Sequence, residues 1–413
     1  MLHNGERLIV GDYAQREVVV QPENTVQLIK RHMGSSDYTI ELHGTTYTPQ
    51  QVSSFILQKL KSDAEDRLGH PVTHAVITVP AHFGDKQRRA TIEAGELAGL
   101  TVIKLLNEPT AAAFAYGLTA DAQRTRTLVF DLGGGTFDVA VVEIEDHNVQ
   151  VLATRGDSLL GGADWDELLI NAVAESFCQA HGHDPRNNLL SYHRLREKCI
   201  EAKIQLSTRA STHLFYDDEG KAHRQRFTRE QFEAMSQSLM ERIETLLEAL
   251  LEDVGMSTRE IDNILLVGGA TRMPMVRNRI QSLFGRAPCT DVNPDECVAL
   301  GSALVAALES ARLNGEVSPV PIRTHDVTGH SLGVVTLRDG ALLNTPVIPR
   351  NTRIPCERLR EDLTNSIDGQ TSIDIWLVQG EDPDPLRCDV LGHFEFYGIP
   401  PRPAGRSRIA VTF

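Results

Sequence analysis

Positive charge is in short supply in this chain of 413 residues. Lys and Arg number 41 against 56 Asp and Glu, which gives a formal net charge of -15. An acidic balance argues against nucleic acid or an anionic membrane as a general partner. No uninterrupted apolar run approaches the roughly 18 residues of a membrane span, and the first residues contain no apolar segment typical of a secretory signal. The sequence therefore predicts neither a membrane protein nor a secreted one.

Cysteine is also sparse, and the spacing of the cysteines does not match a metal-binding motif. Six cysteines are spread along the chain without a Cys-x-x-Cys pair. This spacing is typical of free thiols in a reducing compartment, and it argues against a disulfide framework or a zinc site. We therefore expect a cytoplasmic protein.

The length predicts two or more domains, and the first three quarters alternate between apolar strand-like and helical segments. This alternation indicates an α/β architecture. Two details are specific expectations: a helix at 85–98 capped by Asp85, and one long helix at 228–253 that starts with a capping box of Thr228 and Gln231. Beyond about residue 312 the helical period disappears, and alternation at 372–378 predicts a separate β domain.

The most informative segment is Asp131-Leu-Gly-Gly-Gly-Thr-Phe-Asp138, which lies between two apolar strand-like runs. Three consecutive glycines let backbone N–H groups approach a phosphate closely. Asp131 and Asp138 flank these glycines, where carboxylates could hold Mg²⁺ through its water ligands. The alternative is a β-hairpin whose glycines only form the turn. A strand–loop–strand arrangement also differs from the P-loop, in which the glycines lead into a helix.

Two further segments favour the nucleotide interpretation. A strand-like run at 264–267 leads into Gly268-Gly269-Ala-Thr-Arg272-Met-Pro, and Asn107-Glu108-Pro-Thr-Ala-Ala-Ala precedes an alanine-rich helix. A glycine pair after a strand is more often a packing feature, and Glu108 could be a helix cap. Together with the first glycine loop, however, these segments suggest two lobes around a shared cleft.

In this order, the segments resemble the seventy-kilodalton heat-shock chaperones, the DnaK family. Further matches are Val79-Pro80-Ala-His82-Phe, Asn293-Pro-Asp295-Glu and Gln379-Gly-Glu. The resemblance covers nearly the whole chain and is strongest to the bacterial HscC-type branch. It implies a two-lobed, actin-like ATPase domain of the ribonuclease H type that lacks its first strands, followed by a truncated β-sandwich. The implied domains are residues 1–313 for nucleotide, a linker at 314–326, and a peptide-binding β domain at 327–413.

The resemblance also implies roles for individual residues, transferred position by position. The resemblance implies that a lysine at the γ-phosphate and residues beside the metal and the attacking water are catalytic. These residues are Lys30, Glu108, Asp131 and Thr136. Nucleotide would be held by residues of the glycine segments and of one helix face: Gly133, Gly134, Gly135, Gly161, Gly162, Lys203, Ser207, Gly268, Gly269, Arg272 and Asp295. Mg²⁺ would lie near Asp131, and near Asp138 through water. Pro80 and Arg88 would relay the nucleotide state to the β domain.

The chain departs from the family pattern in several places. Family members begin with a strand and a first phosphate loop, Asp-Leu-Gly-Thr-Thr, and no such segment precedes Lys30. The helical lid after the β domain and the hydrophobic linker are also missing, and His82 replaces the usual tyrosine. A misplaced start codon, a truncated gene and a fragment are equally compatible with these departures.

Three functions remain open at this point. The first is an ATP-dependent, stress-related chaperone that binds extended segments of unfolded proteins, with ATP or ADP and Mg²⁺ as ligands and a J-domain protein as co-chaperone. The second is a hydrolysis-deficient fragment that binds nucleotide or peptide passively, so ATPase activity of this chain is uncertain. The third is a sugar or acetate kinase of the same fold superfamily, which the predicted β domain argues against.

Overall fold

The computed structural model describes residues 1–5, 7–117, 124–145, 148–289, 293–317, 323–338 and 340–413. The helices in these ranges are α1 (Asp12–Glu17), α2 (Pro49–Leu68), α3 (Asp85–Leu97), α4 (Glu108–Gly117), α5 (Gly162–His181), α6 (Leu189–Thr208), α7 (Arg229–Met235), α8 (Gln237–Val254), α9 (Pro274–Phe284) and α10 (Cys297–Asn314). The strands up to α10 are β1 (Leu2–His3), β2 (Leu8–Ile9), β3 (Ile40–Leu42), β4 (Thr45–Tyr47), β5 (His74–Val79), β6 (Thr101–Asn107), β7 (Thr125–Leu132), β8 (Phe137–Glu145), β9 (Asn148–Asp157), β10 (Ser211–Asp218), β11 (Lys221–Thr228) and β12 (Asn263–Val267). The strands after α10 are β13 (Arg323–Val327), β14 (Leu332–Arg338), β15 (Ala341–Ile348), β16 (Arg353–Ile354), β17 (Leu359–Leu363), β18 (Ser372–Gln379), β19 (Asp389–Tyr397) and β20 (Ile409–Thr412).

A six-stranded sheet forms the centre of the molecule, in the order β12-β7-β8-β9-β13-β16. Strands β7, β8 and β9 form an antiparallel meander, while β12 pairs with β7 in parallel. Side chains of a strand alternate between faces, and both faces of β7 are buried. Phe130 packs in a core with Trp165 of α5, whereas Val129 packs on the opposite face with Phe114 of α4. Burial on both faces explains the nearly continuous apolar composition of this strand.

The residues before α4 form smaller units. Strands β1 with β2 and β3 with β4 are antiparallel pairs, and β5 with β6 is a parallel pair connected by α3. Strand β6 runs directly into α4, so the end of a strand and the start of a helix meet at Asn107 and Glu108.

Helices α4 and α10 pack closely against each other. The backbone carbonyl of Ala111 lies only 1.7 Å from the position that a Cβ atom would occupy on Gly301. Among the described residues α10 is also the one helix long and apolar enough to cross a membrane. Because it contributes Cys297 and Val305 to the same core as α4, we interpret α10 as a core helix of this fold.

The C-terminal β region contains a four-stranded sheet in the order β15-β14-β18-β19 and a β17–β20 pair. A strand was predicted at 372–378, and β18 confirms it. The linker predicted at 314–326 stays a prediction. Residues 318–322 lie outside the described residues, but Asn314 ends α10, and residues 323–326 belong to β13. Strand β13 pairs in parallel with β9 and antiparallel with β16, so this segment joins the central sheet.

Two local predictions are wrong. The helix predicted at 228–253 is divided at Ser236, whose hydroxyl donates to the carbonyl oxygen of Phe232 at 2.7 Å, a bond that competes with regular helix geometry. The predicted cap of α3 is replaced by Gly84 as N-cap, while the Asp85 carboxylate pairs with Arg89. The capping box of Thr228 and Gln231 is confirmed.

The close packing of α4 and α10 generates a stability prediction. Gly→Ala in a helix interior normally stabilises the helix by up to about 1 kcal/mol. We expect Gly301→Ala to do the opposite, because the new methyl group meets backbone rather than a flexible side chain. Overpacking of this kind typically costs about 1–3 kcal/mol. Thermal unfolding of the variant beside the parent chain measures it, and an equal or higher melting temperature would contradict the prediction.

Candidate functional site

The glycine loop (residues 133–136) connects β7 to β8, in a register that places Asp131 opposite Asp138. The N–H of Gly133 donates to the carbonyl oxygen of Thr136 at 3.1 Å, which closes the turn. A Cβ atom on Gly134 would meet no protein atom within 4 Å. The fold itself therefore does not require glycine at 134, and a ligand that approaches the backbone provides a reason for it.

The start of α5 packs directly on this loop. The N–H groups of Gly162 and Ala163 donate to the carbonyl oxygens of Gly133 and Gly134, each at 2.9 Å. A Cβ atom on Gly161 would lie 2.6 Å from the carbonyl carbon of Gly135. Glycine is thus required at 161 by the close approach of two backbone segments, and α5 fixes the shape of the loop.

Charged side chains converge beside the loop. Lys30 lies in a 3-10 turn at Ile29–His32, and its Nζ is 2.7 Å from Oε1 of Glu108 at the start of α4. Asp131 and Asp138 are 8% and 1% exposed at the facing ends of β7 and β8. We call the space between the Lys30–Glu108 pair and the Asp131–Asp138 pair the cleft.

Negative charge is crowded in the cleft, where the carboxylates of Glu108, Asp131 and Asp138 lie close together. Burial, followed by the charges of Glu108 and Asp138, raises the pKa of Asp131 well above its usual range. Burial and Asp138 also raise the pKa of Glu108, although Lys30 opposes this effect. Burial alone would lower the pKa of Lys30, yet the hydrogen bond and charge of Glu108 raise it. Three carboxylates share one ammonium group, so the cleft favours an additional cation.

The donor set fits Mg²⁺ held through water. Oδ1 of Asp138 accepts hydrogen bonds from the backbone of Ala81 and from His82, but its Oδ2 is buried without a partner. Within the described ranges, groups of three or more His, Cys, Asp and Glu side chains close enough to enclose a metal directly do not occur. Mg²⁺ usually keeps several waters and binds through one or two carboxylates, which matches Asp131 and Asp138.

The segment after Pro80 connects this cluster to the C-terminal region. Arg88 donates to Asn107 Oδ1 at 2.7 Å and to the carbonyl oxygen of Phe83 at 2.9 Å. The amide of Asn107 in turn donates to Asp326 of β13 at 2.8 Å. The structure thus brings Arg88 into a hydrogen-bonded chain that reaches β13.

A second connection runs through His82. Its ring Nδ1 lies 2.9 Å from Asp138 Oδ1, and its carbonyl oxygen is 2.7 Å from Nε2 of His330 in the C-terminal region. One residue therefore contacts both a cleft carboxylate and the β region.

The remaining predicted site residues lie on neighbouring segments that we together call the wall: the start of α5, the face of α6 that carries Lys203, and the residues after β12. Gly268 has φ +84°, and a Cβ atom there would lie 2.4 Å from the carbonyl oxygen of Leu132. Lys203 Nζ donates to the carbonyl oxygen of Gly162 at 2.8 Å and pairs with Asp166 at 2.6 Å. The other members of this wall lie beside these: the Ser207 hydroxyl donates to the carbonyl oxygen of Lys203, Arg272 pairs with Asp295, and Gly269 faces Asp295.

Comparison with known proteins gives a consistent result. The sequence model of the Hsp70 protein family matches residues 2–413. The chain belongs to the Hsp70 family. It is 45% identical over 417 residues to the chaperone protein DnaK of Halobacterium salinarum, which covers 100% of this chain and 64% of that protein. The DnaK proteins of Thermosipho melanesiensis and Thermotoga neapolitana are 42% and 44% identical over 98% of this chain, and the match covers 68% of each.

Membership of the Hsp70 family confirms the predicted family and the α/β fold class, and the chain spans about two thirds of the length of these relatives. The assignment to the HscC-type branch stays a prediction. Sequence reasoning missed Asp326, His330 and Asn107 as members of the network around the cleft. Only Asn107 gave a signal, because it precedes Glu108 in the quoted motif, whereas Asp326 and His330 are more than 180 positions from Asp138 along the chain.

The raised pKa of Asp131 leads to a prediction for this Hsp70 chain. Because folding raises this pKa, Asp131 destabilises the fold increasingly as the pH rises from the usual aspartate range to the raised pKa, and the full penalty applies above it. Without Mg²⁺, we expect Asp131→Asn to stabilise the fold at pH 8 by on the order of 1 kcal/mol, as replacing a buried charge often does. The gain should disappear near pH 4, where the carboxyl group is protonated.

Thermal unfolding in EDTA at several pH values measures this effect. Asp63→Asn is the matched control, because Asp63 is exposed and pairs with Lys59 on the surface of α2. Equal melting temperatures for Asp131→Asn and the parent chain at pH 8 would show that the cleft carboxylates do not repel one another as described.

Proposed function

We propose that this chain binds Mg·ATP and Mg·ADP in the cleft and couples the bound nucleotide to the binding of extended segments of unfolded polypeptide by its β domain. This is the function of an ATP-dependent chaperone of the cytoplasm. The observation that carries the proposal is the convergence of Lys30, Glu108, Asp131 and Asp138 beside a glycine loop in a chain of the Hsp70 family.

The roles proposed within the cleft follow from the chemistry of each group. Lys30 offers a compact positive charge for the γ-phosphate, which stabilises charge that develops during phosphoryl transfer. Glu108, held by Lys30, would orient the attacking water. Gly133, Gly134 and Gly135 offer a backbone that a phosphate can approach, with Thr136 at their end. Mg²⁺, when bound, would neutralise phosphate charge, and Asp131 and Asp138 would hold it through water.

The proposed nucleoside pocket is the wall formed by the second group of residues. Lys203, held by Asp166, and the Arg272–Asp295 pair offer charged and polar groups for a ribose and a base. Close backbone packing at two glycines of this wall, Gly161 and Gly268, would shape the pocket. The other glycines of the wall are Gly162 and Gly269. Ser207 lies one helical turn after Lys203 on the same face of α6.

The proposed domains are residues 1–313 for nucleotide and 327–413 for peptide, joined at 314–326. Apolar side chains on β19 support a peptide-binding role: Phe394 and Phe396 are 53% and 56% exposed. They face the same way as Ile373 and Ile375 of the paired strand β18. An extended apolar segment of a client protein would find complementary surface there. A J-domain co-chaperone is part of this proposal as well.

The third part of the proposal is communication between the nucleotide cleft and the peptide-binding β domain. Pro80 begins the segment whose residues contact Asp138, and Arg88 fixes its carbonyl groups. Asp326 receives hydrogen bonds from Asn107 and from Thr110 at 3.2 Å, and so ties β13 to the start of α4. A change in the charge at the cleft would alter these hydrogen bonds and so change how β13 and the β domain are held.

The catalytic assignment is tested by Lys30→Ala and Glu108→Ala. We expect each variant to lower single-turnover ATP hydrolysis by on the order of 10²–10³, the usual cost of one preorganised charge-stabilising group. Binding of ADP should change far less, because neither group is needed for the glycine loop or the nucleoside wall.

The measurement is phosphate release from a stoichiometric complex with ATP, with and without an extended peptide. Lys59→Ala serves as a control, since Lys59 pairs with Asp63 on the exposed surface of α2. Near-parental rates in both cleft variants would show that Lys30 and Glu108 are not catalytic. A parent chain that binds ADP but releases no phosphate would favour passive binding over turnover.

A further inference from the structure

Arg31 is a charged residue in the cleft to which the proposed function gives no role. It follows Lys30 in the same 3-10 turn. Its Nε donates to the carbonyl oxygen of Gly135 at 2.8 Å, and its terminal nitrogen donates to Oδ2 of Asp164 at 2.6 Å. The side chain is 16% exposed, and its partners lie 104 and 133 positions further along the chain. Such a partly buried, charge-assisted contact is stronger than a surface ion pair.

The two acceptors of Arg31 are themselves held in place. Asp164 lies in the first turn of α5, and its Oδ2 also accepts from the N–H of Gly161 at 2.7 Å. The position of a Cβ atom on Gly161 is 2.7 Å from the backbone nitrogen of Gly135, so these segments are in direct contact. The guanidinium group therefore binds a rigid unit formed by the glycine loop and the start of α5.

The turn that presents Arg31 is also constrained. Leu28, which precedes the turn, has φ +56°, an uncommon conformation for a residue other than glycine. The Gly135 Cβ position lies 3.5 Å from Arg31 Nε and 3.9 Å from Leu28 Cδ2. Arg31 thus joins the turn that carries Lys30 to the loop on the opposite side of the cleft.

We propose that Arg31 is a positioning residue that ties the Lys30 turn to the glycine loop and holds the cleft closed over a bound nucleotide. The inference rests on the proposed nucleotide site. Because opening of the cleft separates the turn from the loop, both hydrogen bonds of Arg31 must break before nucleotide leaves. Arginine suits this role because the planar guanidinium group can donate to two acceptors at once. The ammonium group of a lysine is a compact point charge and does not reproduce this two-point contact.

The experiment measures release of a fluorescent ADP analogue, chased with unlabelled ADP in a stopped-flow instrument. We expect Arg31→Ala to accelerate release about tenfold or more, since hydrogen bonds to charged groups typically contribute this much. Arg31→Lys should give an intermediate rate. Asp164→Asn should also accelerate release, and adding Arg31→Ala to it should have a smaller effect than in the parent chain, because both changes break the same contact.

Arg279→Ala is the control, because Arg279 also donates two hydrogen bonds to acceptors distant in sequence, both on Glu244, but on an exposed surface outside the cleft. A release rate in Arg31→Ala equal to that of the parent and the control would overturn the inference while leaving the nucleotide site intact. A parent chain that takes up no labelled ADP would overturn the proposed function and this inference together. If Arg31→Ala does not fold, as judged by circular dichroism, unchanged release in Arg31→Lys and Asp164→Asn would overturn the inference.

Discussion

A single lysine ammonium group that faces three carboxylates, two of them buried, is the constraint on which the rest of this structure depends. Lys30 neutralises Glu108 through a direct 2.7 Å contact, while Asp131 and Asp138 remain close together at the ends of two paired strands. A protein folds with this repulsion only where the surrounding packing overcomes it, and such arrangements are typical of functional sites. Here the packing comes from a central sheet that is buried on both faces, so the strand ends cannot move apart.

The glycines beside this sheet differ in what surrounds them. Gly161 and Gly268 are required by the fold, because any side chain there would overlap the backbone of the loop or of β7. Gly134 is not required by the fold and faces open space. The distinction separates glycines that build the cleft from one that leaves room for a ligand.

Most of the helices and strands could be predicted from the sequence, because apolar periodicity is a local property. The start of α3 and strand β13 could not be predicted in this way, because both depend on contacts between residues distant in the sequence. The Asp85 N–H donates to the side chain of Gln379, a partner 294 positions away, so the start of α3 depends on tertiary contacts. Strand β13 consists largely of polar residues, and only its pairing with β9 makes it a strand. The residues of the cleft were predictable through their motifs, whereas the contacts of Arg31 and Asp326 required the three-dimensional arrangement.

The crowded carboxylates of the cleft are proposed to bind a magnesium–nucleotide complex. Isothermal titration of the chain with ADP, once in Mg²⁺ and once in EDTA, tests this proposal most directly. We expect clear binding in Mg²⁺ and a loss of affinity of at least about tenfold in EDTA, because phosphate would then meet uncompensated negative charge. Equal affinity under the two conditions, or no binding in either, would show that the carboxylates do not bind nucleotide through Mg²⁺.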